Sequence, residues 1–129
     1  MLAADTNVWA RAYLNDDAAQ AAKARSALAQ ACSQDGVFVP LVVLAELSWV
    51  LRRRWERERI LNAIDSLLQT RGVTVESPAL VRNALAAARQ DPVGFADHLI
   101  AEISFEFGAS EILTFDKNFG RKPRVRRLK

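Results

Sequence analysis

The chain has 129 residues, of which 50% are hydrophobic and 26% are charged, and this is enough for one compact domain with its own core. A single cysteine and a single histidine exclude an internal disulfide and a zinc site of the Cys/His type. The longest apolar run, residues 37–51, is interrupted by Pro40, Glu46 and Ser48, so no segment is expected to span a membrane. We therefore expect one domain over residues 1–129, in the cytoplasm.

The charge is unevenly distributed along the chain. The net charge is +3, but the last nine residues, Arg121–Lys129, carry six of the 18 basic residues and none of the 15 acidic ones. The remainder of the chain therefore has a net charge of −3. A basic segment attached to an acidic body is typical of some nucleic-acid-binding proteins, although a solvated terminal strand would account for it equally well.

The predicted elements alternate between strand and helix. Strands are predicted at residues 1–4, 36–39, 73–76 and 111–115, with a fifth edge strand at 124–128. Helices are predicted at residues 7–14, 16–32, 41–54, 57–72, 77–90 and 94–108. This alternation predicts an α/β fold with a mostly parallel sheet of four to five strands. Such a sheet binds ligands at the carboxyl ends of its strands.

Two acidic residues directly follow predicted strands. Asp5 comes after the first strand and Asp116 after the fourth. If these strands are neighbours, the two carboxylates lie side by side at one edge of the sheet. The alternative is that each is a helix cap or a turn former, which aspartate often is.

Glu46 lies in the most apolar helix of the chain. At 100° per residue it shares a stripe with Val42 and Trp49. A lone carboxylate on such a helix is costly to bury unless it is paired or bound to a metal ion. The alternative is an internal salt bridge to an arginine of the segment that follows.

The segment Gly94–Glu102 contains both an acidic residue and the only histidine of the chain. The predicted core face of its helix consists of Ala96, Leu99, Ile100, Ile103 and Phe107. Asp97 is predicted to border this face and to point into a crevice, although a favourable charge in the first helical turn would also explain it. His98 is predicted to face solvent and to pair with Glu102, without a catalytic role.

Four carboxylates brought close together would raise one another's pKa unless a cation lay between them. Ligation by oxygen alone selects Mg²⁺ or Mn²⁺ over zinc. Such a cation, or a pair of them, supports attack of water on a phosphodiester. If they converge, the four acids therefore indicate a metal-dependent hydrolase.

The chain resembles PIN-domain ribonucleases, of the kind that form the VapC toxin of VapBC toxin–antitoxin systems. The segments that carry the resemblance are DTNVW, VPLVVLAELSWVLRR, FADHLIAE and LTFDKNFGRKPRVRRL. The resemblance implies a PIN-like three-layer sandwich with helices on both faces of the sheet. It implies that Asp5, Glu46, Asp97 and Asp116 are the catalytic metal ligands. It also matches Thr6, Asn7, Thr114 and Asn118 to polar positions that support the site.

The same resemblance implies RNA as the substrate, a cognate antitoxin and a homodimer as partners, and Mg²⁺ or Mn²⁺ as the cofactor. Two alternatives keep the fold: an RNA-processing nuclease without an antitoxin, and a catalytically silent module that binds nucleic acid or protein. Two unrelated classes of α/β domain are disfavoured. A phosphotransfer receiver has paired acids after its first strand, and a haloacid-dehalogenase-type phosphatase has Asp-x-Asp there. This chain has Asp5-Thr6-Asn7 at that place and fits neither.

Overall fold

The computed structural model describes all 129 residues and contains five strands and six α-helices. The strands are β1 Leu2–Ala3, β2 Val37–Val39, β3 Val73–Val75, β4 Ile112–Thr114 and β5 Val125–Arg127. The helices are α1 Thr6–Leu14, α2 Ala18–Ser33, α3 Leu41–Leu51, α4 Arg57–Gln69, α5 Pro78–Ala88 and α6 Phe95–Glu106, and a short 3₁₀ helix covers Phe119–Arg121. The chain divides into two compact units, Met1–Pro78 and Ala79–Lys129.

The first unit contains a three-stranded parallel sheet in the order β1-β2-β3. The central strand is the most deeply buried, since Val37 and Val39 have no exposed surface. Helix α1 packs against α2 and α3, and α4 packs against β3. The largest fully buried side chains of α3 and α4 are Leu44, Leu47, Leu51 and Ile64.

Two glycines make the turns that lead into β2 and β3. Gly36 and Gly72 have φ angles of +93° and +88°, a backbone conformation that residues with a Cβ rarely adopt. The carbonyl of Gly72 accepts a 2.8 Å hydrogen bond from the Val37 N–H, and the carbonyl of Gly36 accepts one of 3.0 Å from the Leu2 N–H. These turns therefore also begin the hydrogen bonding between neighbouring strands.

The second unit contains helix α6 and a parallel pair formed by β4 and β5, in which Ile112 is opposite Val125. A small hydrophobic cluster joins its elements. It consists of the buried Val93, Phe119 and Val125 together with the partly buried Ala101 and Ile112. The cluster therefore links the loop before α6, helix α6 itself, both strands and the 3₁₀ helix.

The predicted α/β fold class with parallel strands is confirmed, and every predicted strand and helix is present. The strands differ from the prediction in forming two sheets, of three and two strands, instead of one. Helix α3 ends at Leu51, earlier than the predicted Arg54, because the N–H groups of Arg53 and Arg54 bond to carbonyls only three residues back, as in the tightened last turn of a helix. No helix is both long and apolar enough to cross a bilayer.

Candidate functional site

Asp5 lies in the turn between β1 and α1 and caps the helix. Its Oδ1 accepts a 3.1 Å hydrogen bond from the Val8 N–H, which satisfies one of the unpaired donors in the first helical turn. Its Oδ2 has no hydrogen bond within the chain. Asp5 and Asn7 are both exposed. Asp5 is therefore a helix cap, as the alternative interpretation predicted. Capping uses only one of its carboxylate oxygens and leaves the other available for a ligand.

Glu46 is exposed on helix α3, so the cost of burying a lone carboxylate, which singled it out in the sequence, does not arise. Its neighbours on the same stripe, Val42 and Trp49, are 63% and 53% exposed, because α3 turns its opposite side toward the core. No arginine pairs with Glu46. Its Oε1 instead accepts a 2.9 Å hydrogen bond from the hydroxyl of Thr6. Because Thr6 directly follows Asp5, this bond brings the start of α1 and the middle of α3 together.

A cleft of about 560 Å³ opens beside Asp5 and Asn7. Two basic side chains, Arg11 and Lys23, also line it. Arg11 forms a 3.2 Å ion pair with Asp16, whereas Lys23 has no ion-pair partner. The sequence patterns did not point to these cations, because α1 and α2 contribute one each and only the packing of the two helices brings them to one cleft.

A larger cavity of about 1010 Å³ lies elsewhere in the first unit, between α1, α2 and the end of α4. Its lining includes the stacked rings of Trp9 and Tyr13. Burial raises the pKa of Tyr13 to about 12. None of the four predicted metal ligands lines this cavity, so we do not place the predicted chemistry there.

In the second unit, Asp116 and Asp97 occupy turns at element ends. Asp116 follows β4, and its Oδ1 accepts a 2.7 Å hydrogen bond from the Phe119 N–H. Its own N–H donates to the hydroxyl of Thr114 at 3.0 Å, so Thr114 orients the turn that carries the carboxylate. Asp97 lies half-buried in the first turn of α6. Asn118 is exposed and makes no capping bond.

The prediction that His98 faces solvent and pairs with Glu102 is wrong. His98 is only 4% exposed, and its Nε2 lies 2.9 Å from Oδ1 of Asp91. The reason is a rotation of α6 about its axis relative to the predicted core face. The buried residues are Phe95, Ala96, His98 and Leu99, whereas Ile100 and Phe107 are 45% and 88% exposed.

Asp91 is the centre of a polar cluster that the sequence patterns missed. Its Oδ2 accepts a 2.7 Å hydrogen bond from Nζ of Lys122, and its Oδ1 accepts one of 2.9 Å from the Val93 N–H. Burial alone raises the pKa of this carboxyl, but the bonds from Lys122, His98 and Val93 outweigh burial and lower the pKa from 3.8 to about 2. Lys122 lies 31 residues from Asp91, so no local pattern predicted this ion pair.

One comparison decides the family. The family model described as PIN domain matches residues 3–125. The chain belongs to the PIN domain family. No curated protein matches it. PIN domains are generally metal-dependent nucleases, and the match covers all four carboxylates predicted as ligands.

The predicted ligands of this PIN domain are carboxylates, which are chemically suited to bind a hard cation such as Mg²⁺ or Mn²⁺. Asp5, Glu46 and Asp116 each use one oxygen in a hydrogen bond that fixes the side chain and keep the other oxygen as a donor of the kind Mg²⁺ and Mn²⁺ prefer. No three carboxylate, imidazole or thiol side chains are grouped closely enough to hold a metal ion. Asp5 and Glu46 belong to the first unit, and Asp97 and Asp116 belong to the second. The four-residue ligand set therefore stays a prediction.

Proposed function

We propose that this PIN domain is an Mg²⁺- or Mn²⁺-dependent endoribonuclease that hydrolyses RNA phosphodiester bonds. Its proposed metal ligands and catalytic residues are Asp5, Glu46, Asp97 and Asp116. The observation that carries the proposal is the family match over residues 3–125, a range that contains these four residues.

Neighbouring threonine hydroxyls orient two of these carboxylates. Thr6 holds Glu46 by its hydroxyl, and Thr114 holds the turn of Asp116. Asn7 and Asn118 are exposed next to Asp5 and Asp116 and are proposed to contact the substrate. A bound divalent cation would activate water and neutralise charge that develops on the phosphate.

Charge at the Asp5 cleft supports RNA as the substrate. Arg11 and Lys23 share the cleft with Asp5, so cations lie beside a proposed metal ligand. Such cations bind phosphate oxygens without reading base sequence. A single-stranded RNA that places one phosphate against Lys23 would run past Asp5.

The chain offers a matched pair of variants for testing this function. Asp5 and Asp17 both cap helices, each by a 3.1 Å bond from a backbone N–H, and asparagine caps a helix as well as aspartate does. Asp5→Asn and Asp17→Asn therefore both keep a cap and lose a charge. We expect RNA cleavage with Mn²⁺ to fall by about a hundredfold or more in Asp5→Asn, since losing even an outer partner of a metal ligand costs about 10–100-fold, and to be unchanged in Asp17→Asn. Equal activity of the two variants would contradict the proposal, and so would full activity of the wild-type chain in EDTA.

We further propose that the enzyme acts in the cytoplasm as the toxin of a type II toxin–antitoxin pair. The exposed stripe of Val42, Glu46 and Trp49 supports this proposal, because it places two apolar side chains on either side of a proposed catalytic acid. Exposed apolar side chains that lie together on a surface are typical of protein interaction sites, and aromatic residues are enriched there. We assign the stripe to the antitoxin, which would block Glu46 with a basic side chain.

We also propose a homodimer, which the resemblance to VapC-type toxins implies. Four large apolar side chains of the second unit are more than one-third exposed: Ile100, Phe107, Leu113 and Phe115. We assign them to a second copy of the chain. Light scattering of the purified protein is expected to give twice the mass of 14.3 kDa, and Phe107→Ser is expected to shift it toward the monomer.

Expression in bacteria separates a toxin from a housekeeping nuclease. The wild-type chain is expected to arrest growth, and Asp5→Asn is expected to relieve the arrest while Asp17→Asn does not. Active nuclease in vitro without growth arrest would favour an RNA-processing enzyme without an antitoxin. A folded chain that binds RNA but cleaves none would favour a silent binding module.

A further inference from the structure

The cluster around Asp91 has no part in the proposed chemistry, yet three hydrogen bonds converge on the Asp91 carboxylate. The Asp91 carboxylate accepts hydrogen bonds from His98, Lys122 and Val93 at 2.9, 2.7 and 2.9 Å. His98 is almost fully buried, and the Asp91 side chain is only 18% exposed. An ion pair shielded in this way is costly to leave incomplete, since the remaining charge would be buried without its partner.

The bond to His98 fixes the start of helix α6. Asp91 and Val93 lie in the loop that leads into α6, and His98 lies in the first turns of the helix. The 2.9 Å bond from Nε2 of His98 therefore ties the loop to the helix. Asp97, a proposed metal ligand, is the residue immediately before His98, so the same bond limits rotation of the turn that carries it.

The bond to Lys122 fixes the segment that follows Asp116. Lys122 ends the 3₁₀ helix, and its N–H donates to the Phe119 carbonyl at 3.0 Å. The N–H of Phe119 donates in turn to the Asp116 carboxylate. A short chain of bonds thus runs from Asp91 through Lys122 and Phe119 to Asp116.

The hydrophobic cluster of the second unit reinforces both connections. Val93, in the same loop as Asp91, packs with Phe119 of the 3₁₀ helix and with Val125 of β5. Packing of this kind resists small displacements but has no preferred direction. The directional bonds of Asp91 are what select one arrangement of the two segments.

We infer that Asp91 is a positioning residue for metal binding, which holds the Asp97 turn through His98 and the Asp116 turn through Lys122. The inference rests on the proposed function, because it takes Asp97 and Asp116 as ligands. According to this inference, His98 neither binds the metal nor transfers a proton. Polar groups that orient metal ligands typically change metal affinity about tenfold or more when they are removed.

The test is calorimetric titration of the RNA-free chain of 129 residues with Mn²⁺. Asp91→Ala removes the centre of the cluster. Lys122→Met removes only the bond between Lys122 and Asp91 and is the variant to measure if Asp91→Ala does not fold. Glu111→Ala is the matched control, because it breaks another acid–base pair of the same unit, the exposed 2.8 Å contact between Glu111 and Arg126. We expect about tenfold weaker Mn²⁺ binding in Asp91→Ala, a smaller loss in Lys122→Met, and no change in Glu111→Ala.

Affinity and stoichiometry separate positioning from loss of fold. A partly unfolded variant would bind less Mn²⁺ per chain with unchanged affinity, whereas a mispositioned site binds a full equivalent more weakly. Excess Mn²⁺ is therefore expected to restore cleavage by Asp91→Ala. Wild-type affinity in folded Asp91→Ala and Lys122→Met, or reduced stoichiometry alone, would overturn the inference and leave the nuclease proposal standing. A wild-type chain that binds no Mn²⁺ would overturn both.

Discussion

The hydroxyl of Thr6 donates a 2.9 Å hydrogen bond to Oε1 of Glu46, across 40 residues of sequence. The bond ties the first residue of α1 to the middle of α3 and orients an exposed carboxylate that has no ion-pair partner. Without the bond, the Glu46 side chain is free to sample other rotamers. A metal ion that binds one rotamer would then bind more weakly, because ordering the side chain costs conformational entropy.

We predict that Thr6→Val lowers Mn²⁺-dependent cleavage about tenfold, because valine keeps the shape of threonine but cannot donate the bond. Thr6→Ser, which keeps the hydroxyl, should stay close to wild type. The measurement is the initial rate of cleavage of a labelled RNA at several Mn²⁺ concentrations. Equal rates for the two variants would show that the bond does not orient a ligand.

The second prediction concerns Lys23, which lines the cleft beside Asp5. If Lys23 contacts one phosphate of a single-stranded RNA, Lys23→Gln should reduce the slope of log affinity against log salt by about 0.7, the value for one released counterion. The measurement is a KCl series of binding titrations in EDTA, which prevents cleavage. Arg53→Gln is the control, since Arg53 is exposed beyond the end of α3 and does not line the cleft. An unchanged slope in Lys23→Gln, or an equal fall in both variants, would remove Lys23 from the RNA path.

The elements that local chemistry determines were predictable from sequence. Helix α2 begins after Asp17 because the Asp17 carboxylate accepts a bond from the Gln20 N–H three residues on, and such a cap is readable from a short window. The alternation of strands and helices predicted the parallel pairing. The division into two sheets was not predictable, because the partner of a strand is set by contacts distant in sequence and β1 contributes only Leu2 and Ala3.

The orientation of side chains was harder to predict than their place along the chain. Asp5 and Asp116 were expected at strand ends, and both lie there, Asp5 as a helix cap and Asp116 in a turn. His98 was expected in solvent and is buried, where Asp91 pairs with it and Lys122, 31 residues beyond Asp91, pairs with Asp91 in turn. Periodicity tells which residues share a helix face, whereas the face that is buried depends on what packs against it.

A third prediction tests the glycine turn before β3. Gly72 has a φ of +88°, and a Cβ there would lie 2.4 Å from the carbonyl oxygen of Cys32. Gly72→Ala is therefore strained in both conformation and contact, and we expect it to lower the free energy of unfolding by about 2 kcal/mol or more. Gly94→Ala is the control, because Gly94 has a φ of −66° and no atom within 4 Å of the added Cβ. Urea denaturation followed by circular dichroism measures both, and a fully stable Gly72→Ala would refute the described turn.

The last prediction follows from the lowered pKa of Asp91, about 2 in the folded chain against 3.8 for a free carboxyl. A carboxyl whose pKa is lower in the folded state binds fewer protons there than in the unfolded state, so it stabilises the fold at pH values above both pKa values. This contribution corresponds to about 2 kcal/mol, and it is lost as the pH falls from 3.8 toward 2.

Asp91→Asn, which cannot ionise, should therefore be less stable than wild type by about 2 kcal/mol at neutral pH. The difference should shrink as the pH falls through the window between the two pKa values, because protonated Asp91 resembles asparagine. Urea denaturation of both proteins across this range measures the difference. The exposed Glu111→Gln serves as the control and should show almost no such effect, because exposed ion pairs contribute little. A difference between Asp91→Asn and wild type that stayed constant down to pH 2 would mean that the carboxylate charge does not hold the Lys122 and His98 contacts, and that the variant is weakened by shape alone.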